Sequence, residues 1–403
     1  MIFRYTNKKT AITSTSALCD KLRVYHVGPA PSVCGGITTL IESIQANLPP
    51  AVEFSLIATH SRYRSSYQDK RFRLHMLEQT AVYGRAVSQV IAARLRSKKK
   101  IFHVHLSQQG SALRKGIICI LLRISRACYI VHTHAAEDKM FHSWVPWGVR
   151  RAMMWGLRGC HQCLVLNDFW ADYYSARLSI SRERITILPN PADLPAAVPD
   201  RSGHAVFTIL FLGRLGERKG TYDLIRAFAA LPEDSKSRMQ LVLAGDGEIA
   251  ECEQLVRETR CTEHVRITGW VGRSQVRDLL MQADLFVLPS YAEGMAISVL
   301  EGLAWGLPVV TTAACGSTSY LEDHRNCLLV KPGDIDALRE AILRVYGNTA
   351  LRAELGSEAR KTAESLSIEK YVRKLTHIYC QAAGPLPEDI CRAEQTASAW
   401  NLK

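Results

Sequence analysis

The chain reads as an α/β protein with two parallel-sheet domains facing each other across a cleft. Three observations predict this. Short apolar runs recur along the whole sequence and alternate with helix-length segments, as strand–helix–strand units of a parallel sheet require. The 403 residues exceed one ordinary domain and suit two of about 180 residues each. A stretch with Pro189, Pro191, Pro195 and Pro199, followed by Asp200-Arg-Ser-Gly203, reads as the linker between them.

In the first half the expected strands are Leu22 to Gly28, Val52 to Thr59, Lys100 to Leu106, Cys128 to His134, Cys163 to Asn167 and Ile185 to Leu188. The second half restarts with Phe207 to Gly213, then Gln240 to Ala244, Val265 to Thr268, Leu285 to Leu288, Val309 to Thr312 and Cys327 to Val330. Helical patterns follow near Met295 to Trp305, Asp336 to Tyr346 and Ser367 to Ala383.

Composition narrows the function classes. With 47% hydrophobic and 22% charged residues the chain is globular rather than disordered. No window offers the ~18 uninterrupted apolar residues of a spanning helix. The nearest, Gly116 to Val131, is broken by Arg123 and Arg126. Met1 to Asp20 lacks the apolar core of a signal peptide, so the chain is expected in the cytoplasm. Twelve cysteines form no disulfide-like framework, and the pair Cys160-x2-Cys163 has no second pair to complete a zinc site. Buried free thiols explain them. Residues 1 to 200 hold 27 Lys+Arg against 12 Asp+Glu, whereas the remainder holds 24 against 26. The basic clusters are Arg62, Arg64, Lys70, Arg71, Arg73 and Arg94, Arg96, Lys98, Lys99, Lys100. Such asymmetry points to a polyanion facing the first domain. No zinc finger, RNP-like string or basic heptad region favours nucleic acid, so an anionic membrane surface is the better match.

Ligands of open parallel sheets bind at the carboxyl ends of strands, and the motifs sit there. After strand Leu285 to Leu288 comes a turn with Glu293-Gly294, then a helix with Glu301 roughly one and a half turns in. The loop and helix start point bare N–H groups at a phosphate, and Glu301 can accept from sugar or ribose hydroxyls. After the first strand, Gly35-Gly36 opens a helix and lets the backbone approach a phosphate. Gly213-Arg214-Leu-Gly-Glu-Arg218-Lys219-Gly220 places two cations five residues apart at a strand end, suited to a diphosphate. Gly245-Asp-Gly247-Glu-Ile-Ala250 fits a dinucleotide fingerprint and supports a rival reading, an NAD(P)- or flavin-dependent oxidoreductase. That reading needs an acid at the end of the next strand, and Val265 to Val271 offers only Arg266. His132 and His134 share one face of their strand, and His103-x-His105 reads as structural. No third ligand stands at metal-binding spacing. Asp334-Ile-Asp336 precedes a helix and reads as a cap rather than a metal site.

Glu293-x7-Glu301, flanked by Ser290, Gly294, Pro308 and Thr311, resembles the signature of retaining family-4 glycosyltransferases, glycosyl transferases group 1 of the GT-B fold. The resemblance covers most of residues 22 to 385. It implies domains at 1–195 and 204–369, with a helix in 370–403 crossing back to the first. It also implies transfer of a sugar from a nucleoside-diphosphate sugar to a saccharide or lipid-linked saccharide, in cell-surface polysaccharide assembly. Glu293 and His134 would be catalytic. Arg214 and Lys219 would hold the pyrophosphate and Glu301 the ribose. Gly294, Met295, Ala296, Gly35 and Gly36 would meet the donor's sugar and phosphates; Gly245, Gly247 and Trp270 would line its nucleotide. No metal or other cofactor is implied, and a sugar-nucleotide epimerase of the same fold is a second alternative. Two departures stand out: Ala296 where the family commonly has proline, and Cys315-Gly316-Ser317 where it often has a glycine pair.

Overall fold

The computed structural model describes residues 21–33, 35–61, 72–96, 100–134, 145–313 and 319–383. Several stretches named above lie outside them: Met1 to Asp20, the cluster from Arg62 to Arg71, Lys98 and Lys99, Cys315-Gly316-Ser317, and the tail beyond 383.

The described residues build two six-stranded parallel sheets. The first holds β1 (Leu22–Gly28), β2 (Val52–Ala58), β3 (Lys100–Leu106), β4 (Tyr129–Thr133), β5 (Gln162–Val165) and β6 (Ile185–Ile187), ordered β2-β1-β3-β4-β5-β6. Its connecting helices are α1 (Gly36–Asn47), α2 (Phe72–Arg96), α3 (Gly110–Ile124), α4 (Trp147–Arg158) and α5 (Asp168–Leu178). The second holds β7 (Phe207–Leu212), β8 (Met239–Ala244), β9 (Val265–Gly269), β10 (Leu285–Leu288), β11 (Val309–Thr312) and β12 (Leu328–Val330). Its order, β12-β11-β10-β7-β8-β9, is that of a dinucleotide-binding sheet. The helices there are α6 (Thr221–Ala229), α7 (Glu233–Lys236), α8 (Ile249–Glu258), α9 (Arg273–Gln282), α10 (Ile297–Ala304), α11 (Ile335–Gly347) and α12 (Thr349–Ser365). The winding order reverses between β1 and β3 in one sheet and between β7 and β10 in the other, which opens a crevice at each point.

The observed strands lie within two residues of the expected ones. One helix boundary moves: Ala296 is extended (φ −70°, ψ 117°), so α10 begins at Ile297 and Glu301 sits only about one turn in. Helix α12 was not foreseen.

The last helix, α13 (Ile368–Ala383), packs on the first sheet. Its Ile368, Tyr371, Val372, Leu375, Ile378 and Tyr379 recur at helical spacing and bury against Leu22, Val24, Ile101, Ile130 and Leu164. The chain therefore crosses between sheets twice, and the crossings touch. Ala192 N donates to Leu366 O at 2.8 Å, and Ile368 N donates to Ala192 O at 3.1 Å. The proline-rich crossing is held along its length: Arg360 donates to Pro195 O, and Arg201 donates to Leu280 O and Trp305 O.

Two members of the second basic cluster close helix ends instead of facing outward. Lys100 Nζ donates to Ala93 O and Arg94 O, and Arg94 donates to Ser125 O. No helix among the described residues is long and apolar enough to cross a membrane. Leu375 is fully buried between α13 and the sheet. Leu375→Ala should cost about 2–5 kcal/mol in urea unfolding. An equal substitution at exposed Leu95 should change stability by under about 0.5 kcal/mol.

Candidate functional site

A cleft of about 1480 Å³ lies between the sheets, lined by the loops that leave the carboxyl ends of strands on both sides. It contains Gly35, Gly36, His134, Arg214, Lys219, Gly245, Trp270, Glu293, Gly294, Met295, Ala296 and Glu301, so the predicted site residues converge. Gly247 does not line it.

The loops after β7 and β10 form the cationic wall. A single helical turn, Glu217–Lys219, ends at Gly220, whose φ is +67°. A Cβ there would lie 2.1 Å from Pro289 O, so only glycine lets the two loops meet. Tyr291 N donates to Arg218 O at 2.9 Å, and Arg218 Nη1 donates to Ala292 O at 2.9 Å. Tyr291 Oη bonds Asp223 Oδ2 at 2.7 Å. This lacing brings Lys219 Nζ onto Glu293 Oε1 as an ion pair, with Arg218 3.7 Å from the same oxygen. Glu293 is buried, whereas Arg214 stays exposed within the cleft.

Two helix N-termini point at the same space. Neither α1 (first flanking residue Gly35) nor α10 (Ala296) has a side-chain cap, which leaves their first N–H groups for a ligand. They come from different sheets yet nearly touch: a Cβ on Gly36 would lie 3.3 Å from Ile297 Cδ1. Asn190 fixes the α10 entrance, donating from Nδ2 to Met295 O at 2.9 Å. Across the cleft, Arg273 Nη2 donates to Ser43 Oγ at 2.6 Å.

Burial raises the Glu301 carboxyl to about 7; Arg273 lowers it and Asp193 raises it, and both are smaller effects. His134 is held by Nε2, 3.1 Å from His105 Nδ1, and burial keeps it neutral by lowering its pKa well below 6.5.

The glycines of the Gly245-x-Gly247 turn serve packing. A Cβ at Gly245 would lie 1.8 Å from Gly213 O, and one at Gly247 would lie 2.3 Å from Leu215 O. Leu215 N donates to Asp246 O at 2.6 Å and Glu248 N donates to Leu215 O at 3.1 Å, so the β8 loop lies flat against the β7 loop. Gly247 therefore supports the loop carrying Arg214 from behind and does not face the cleft. Asp334 caps α11 by accepting from Ala337 N at 3.0 Å, and Asp336 meets Arg339 at 3.0 Å. Cys160 and Cys163 are buried free thiols.

Sequence spacing missed Arg273, Asp193 and Asn190, which follow strand ends yet sit in no recognisable string. It also found no third histidine for a metal. The sheet supplies one: ring nitrogens of His26, His103 and His105, and of His105, His132 and His134, lie within 4.8 Å of one another.

Residues 201–362 match the family model for glycosyl transferases group 1. The putative teichuronic acid biosynthesis glycosyltransferase TuaC of Bacillus subtilis is 35% identical over 171 residues, 42% of this chain and 41% of that protein. The match thus spans under half the length of the first curated relatives. An Escherichia coli UDP-Gal:alpha-D-GlcNAc-diphosphoundecaprenol alpha-1,3-galactosyltransferase aligns at 22% identity over 89% of this chain and 97% of its own length. Among solved structures, Anabaena HepE in complex with UDP superposes with a TM-score of 0.68 at 16% identity, covering 89% of this chain and 99% of its own. The fold is therefore GT-B.

The raised Glu301 makes a sign prediction. Its folded pKa lies above its unfolded one, so its contribution is complete below about 4.5 and is lost as pH rises through about 7. The Tm of Glu301→Gln minus that of wild type should grow from pH 5 to pH 7.5 and then level off (pH values approximate). Gly245→Ala should unfold at least about 2 kcal/mol more easily in urea, through backbone strain and the clash with Gly213 O.

Proposed function

We propose, from a chain that belongs to the glycosyl transferases group 1 family through residues 201–362, that it transfers a sugar from a nucleoside-diphosphate sugar to a saccharide or lipid-linked acceptor. One observation carries this: Arg214, Arg218, Lys219 and two uncapped helix starts share a cleft with Glu301 and with Glu293, which pairs with Lys219. Arg214 and Lys219 hold the diphosphate, assisted by N–H groups of α1 and α10. Glu301 accepts from the ribose hydroxyls. Trp270, half exposed at the cleft edge, stacks near the base.

Lys219 is paired with Glu293. An arriving diphosphate draws Lys219 away, and Glu293 is then left buried and free to accept from the transferred sugar. As the bond between the anomeric carbon and the phosphate oxygen breaks, Arg214, Lys219 and the helix starts stabilise the growing negative charge. The acceptor oxygen then bonds to the anomeric carbon, and its proton passes to the departing diphosphate oxygen. Glu293 and His134 bracket the reacting sugar, and net retention follows the family resemblance. Closing the two sheets excludes water and suppresses hydrolysis. Arg214, Lys219 and the two helix starts can take up the charge developed in these steps, so the proposed sequence includes no metal. The oxidoreductase alternative loses its footing because the Gly245–Gly247 turn is filled by the β7 loop. An epimerase would need no acceptor.

One relative named above is a putative teichuronic acid biosynthesis glycosyltransferase and another acts on a diphosphoundecaprenol-linked sugar, which supports a role in surface-polymer assembly here, at the cytoplasmic face of a membrane. Helix α4 supports that placement. Trp147 and Trp155 stand exposed with Val149, and Arg151 and Arg123 lie over their rings at 5.3 and 4.1 Å. Paired tryptophan and arginine suit an anionic lipid interface.

A thermal-shift panel of UDP-, GDP-, ADP- and CMP-sugars tests the donor class. Ligand at ~100 times its Kd should stabilise by ~2.7 kcal/mol, and Lys219→Ala should abolish the shift. A shift with NAD(P) alone would reject the reading. For the membrane face, sedimentation with anionic vesicles should fall several-fold in Trp147→Ala/Trp155→Ala; retention equal to wild type would remove α4 from the role.

A further inference from the structure

Five histidines occupy one face of the first sheet. His26 lies on β1, His103 and His105 on β3, His132 on β4 and His134 one residue beyond its end; parallel register sets His26 beside His103 and His105 beside His132. Period-two alternation puts all five side chains on the face covered by α1 and α13. His103 and His105 stack with ring centroids 4.3 Å apart, and His132 and His134 lie 4.2 Å apart with their rings tilted by 43°. His26, His103, His105 and His132 are completely buried.

Their nitrogens form one unbroken series. His132 Nδ1 lies 3.1 Å from His103 Nε2, and His103 Nδ1 lies 2.5 Å from Tyr379 Oη. Tyr379 Oη lies 3.2 Å from His26 Nε2, and His26 Nδ1 lies 2.9 Å from His105 Nε2. His105 Nδ1 lies 3.1 Å from His134 Nε2, at the wall of the cleft. Burial holds all five rings neutral, His26 and His132 at about 3 and the others well below 6.5.

A neutral imidazole has one N–H and one bare nitrogen. Buried Tyr379 has only His103 and His26 as hydrogen-bond partners among the described residues, so its hydroxyl donates to one and accepts from the other; every bond then points the same way, and the ends decide which. His132 Nε2 is buried with no hydrogen-bond partner among the described residues. A proton there would be an orphaned buried donor, the rarest kind of unsatisfied group, so Nε2 is bare and Nδ1 donates. The same tautomer then propagates through His103, the Tyr379 hydroxyl, His26 and His105.

We propose that this series locks His134 as an Nδ1–H donor into the cleft, with Tyr379 of the returning helix α13 as the positioning residue on which the lock depends. The group that His134 meets must then be an acceptor, such as a sugar oxygen, and His134 is not a base in the resting protein. Naming that group a sugar oxygen rests on the transferase reading; the tautomer does not. Tyr379 also ties the state of His134 to the docking of α13.

Nitrogen-15 NMR of histidine-labelled, ligand-free protein reads the tautomers directly. The expected result is protonated Nδ1 and bare Nε2 on all five rings. Tyr379→Phe keeps the ring but breaks the series in two, so His134 should become a tautomer mixture while His132 and His103 stay paired. With a turning-over donor, kcat/KM should fall about fivefold, the worth of one neutral hydrogen bond. His134 with protonated Nε2 in wild type would overturn the proposal, even if Tyr379→Phe failed to fold. An unchanged His134 tautomer in folded Tyr379→Phe would overturn it too, as would one equivalent of metal bound to the imidazoles. If no nucleotide-sugar binds but the tautomer pattern holds, the lock stands and only the ligand assignment falls.

Discussion

The first sheet cannot cover both of its faces with helices of its own half. Helices α2 to α5 sit on one side, and α1 alone leaves Leu22, Val24, Ile101, Ile130 and Leu164 short of apolar partners. The chain must return from the second sheet and lay α13 over them. Much else follows from that need. The returning segment runs beside the outgoing one, bonded through Ala192, and so gives the cleft a single two-stranded seam. It also brings Tyr379 and Tyr371 over a row of imidazoles that would otherwise face water.

Charge in the cleft is arranged by topology more than by local sequence. Each sheet reverses its winding once, and the loops at that point diverge and leave space. The second sheet fills the edges of this space with Arg214, Arg218, Lys219, Glu293 and Glu301. The first contributes backbone N–H groups at α1 and the neutral His134. An anion placed there would meet cations from one side and helix dipoles from both. The Lys219–Glu293 pair keeps a buried carboxylate tolerable.

The glycine motifs show how one residue type carries two meanings. Gly35 and Gly36 open a helix into the cleft, as their pairing suggested. Gly220 and Gly245 are required by close approach of carbonyl groups from other loops, at 2.1 and 1.8 Å from a notional Cβ. Sequence gives such glycines as permissive turns; only the neighbouring backbone shows why nothing larger fits.

Much of the fold was legible because parallel strands buried on both faces must be apolar runs, and helices between them must repeat at 3.6. The charged site residues were legible because they follow strand ends in contiguous strings: Arg214 with Lys219, and Glu293 with Glu301. The start of α10 was misread by two residues, since Ala296 is held extended next to Met295, which Asn190 of the other half bonds. Gly247 was assigned to the cleft because a fingerprint does not say which side of a turn meets a ligand. Arg273, Asn190 and His26 were invisible as partners, because their roles depend on segments far away in the chain. Local periodicity thus determined the elements and the charges at their ends. The histidine series, the Lys219–Glu293 pair and the cover over the first sheet were decided only by folding, because hydrogen bonds and burial depend on distance in space.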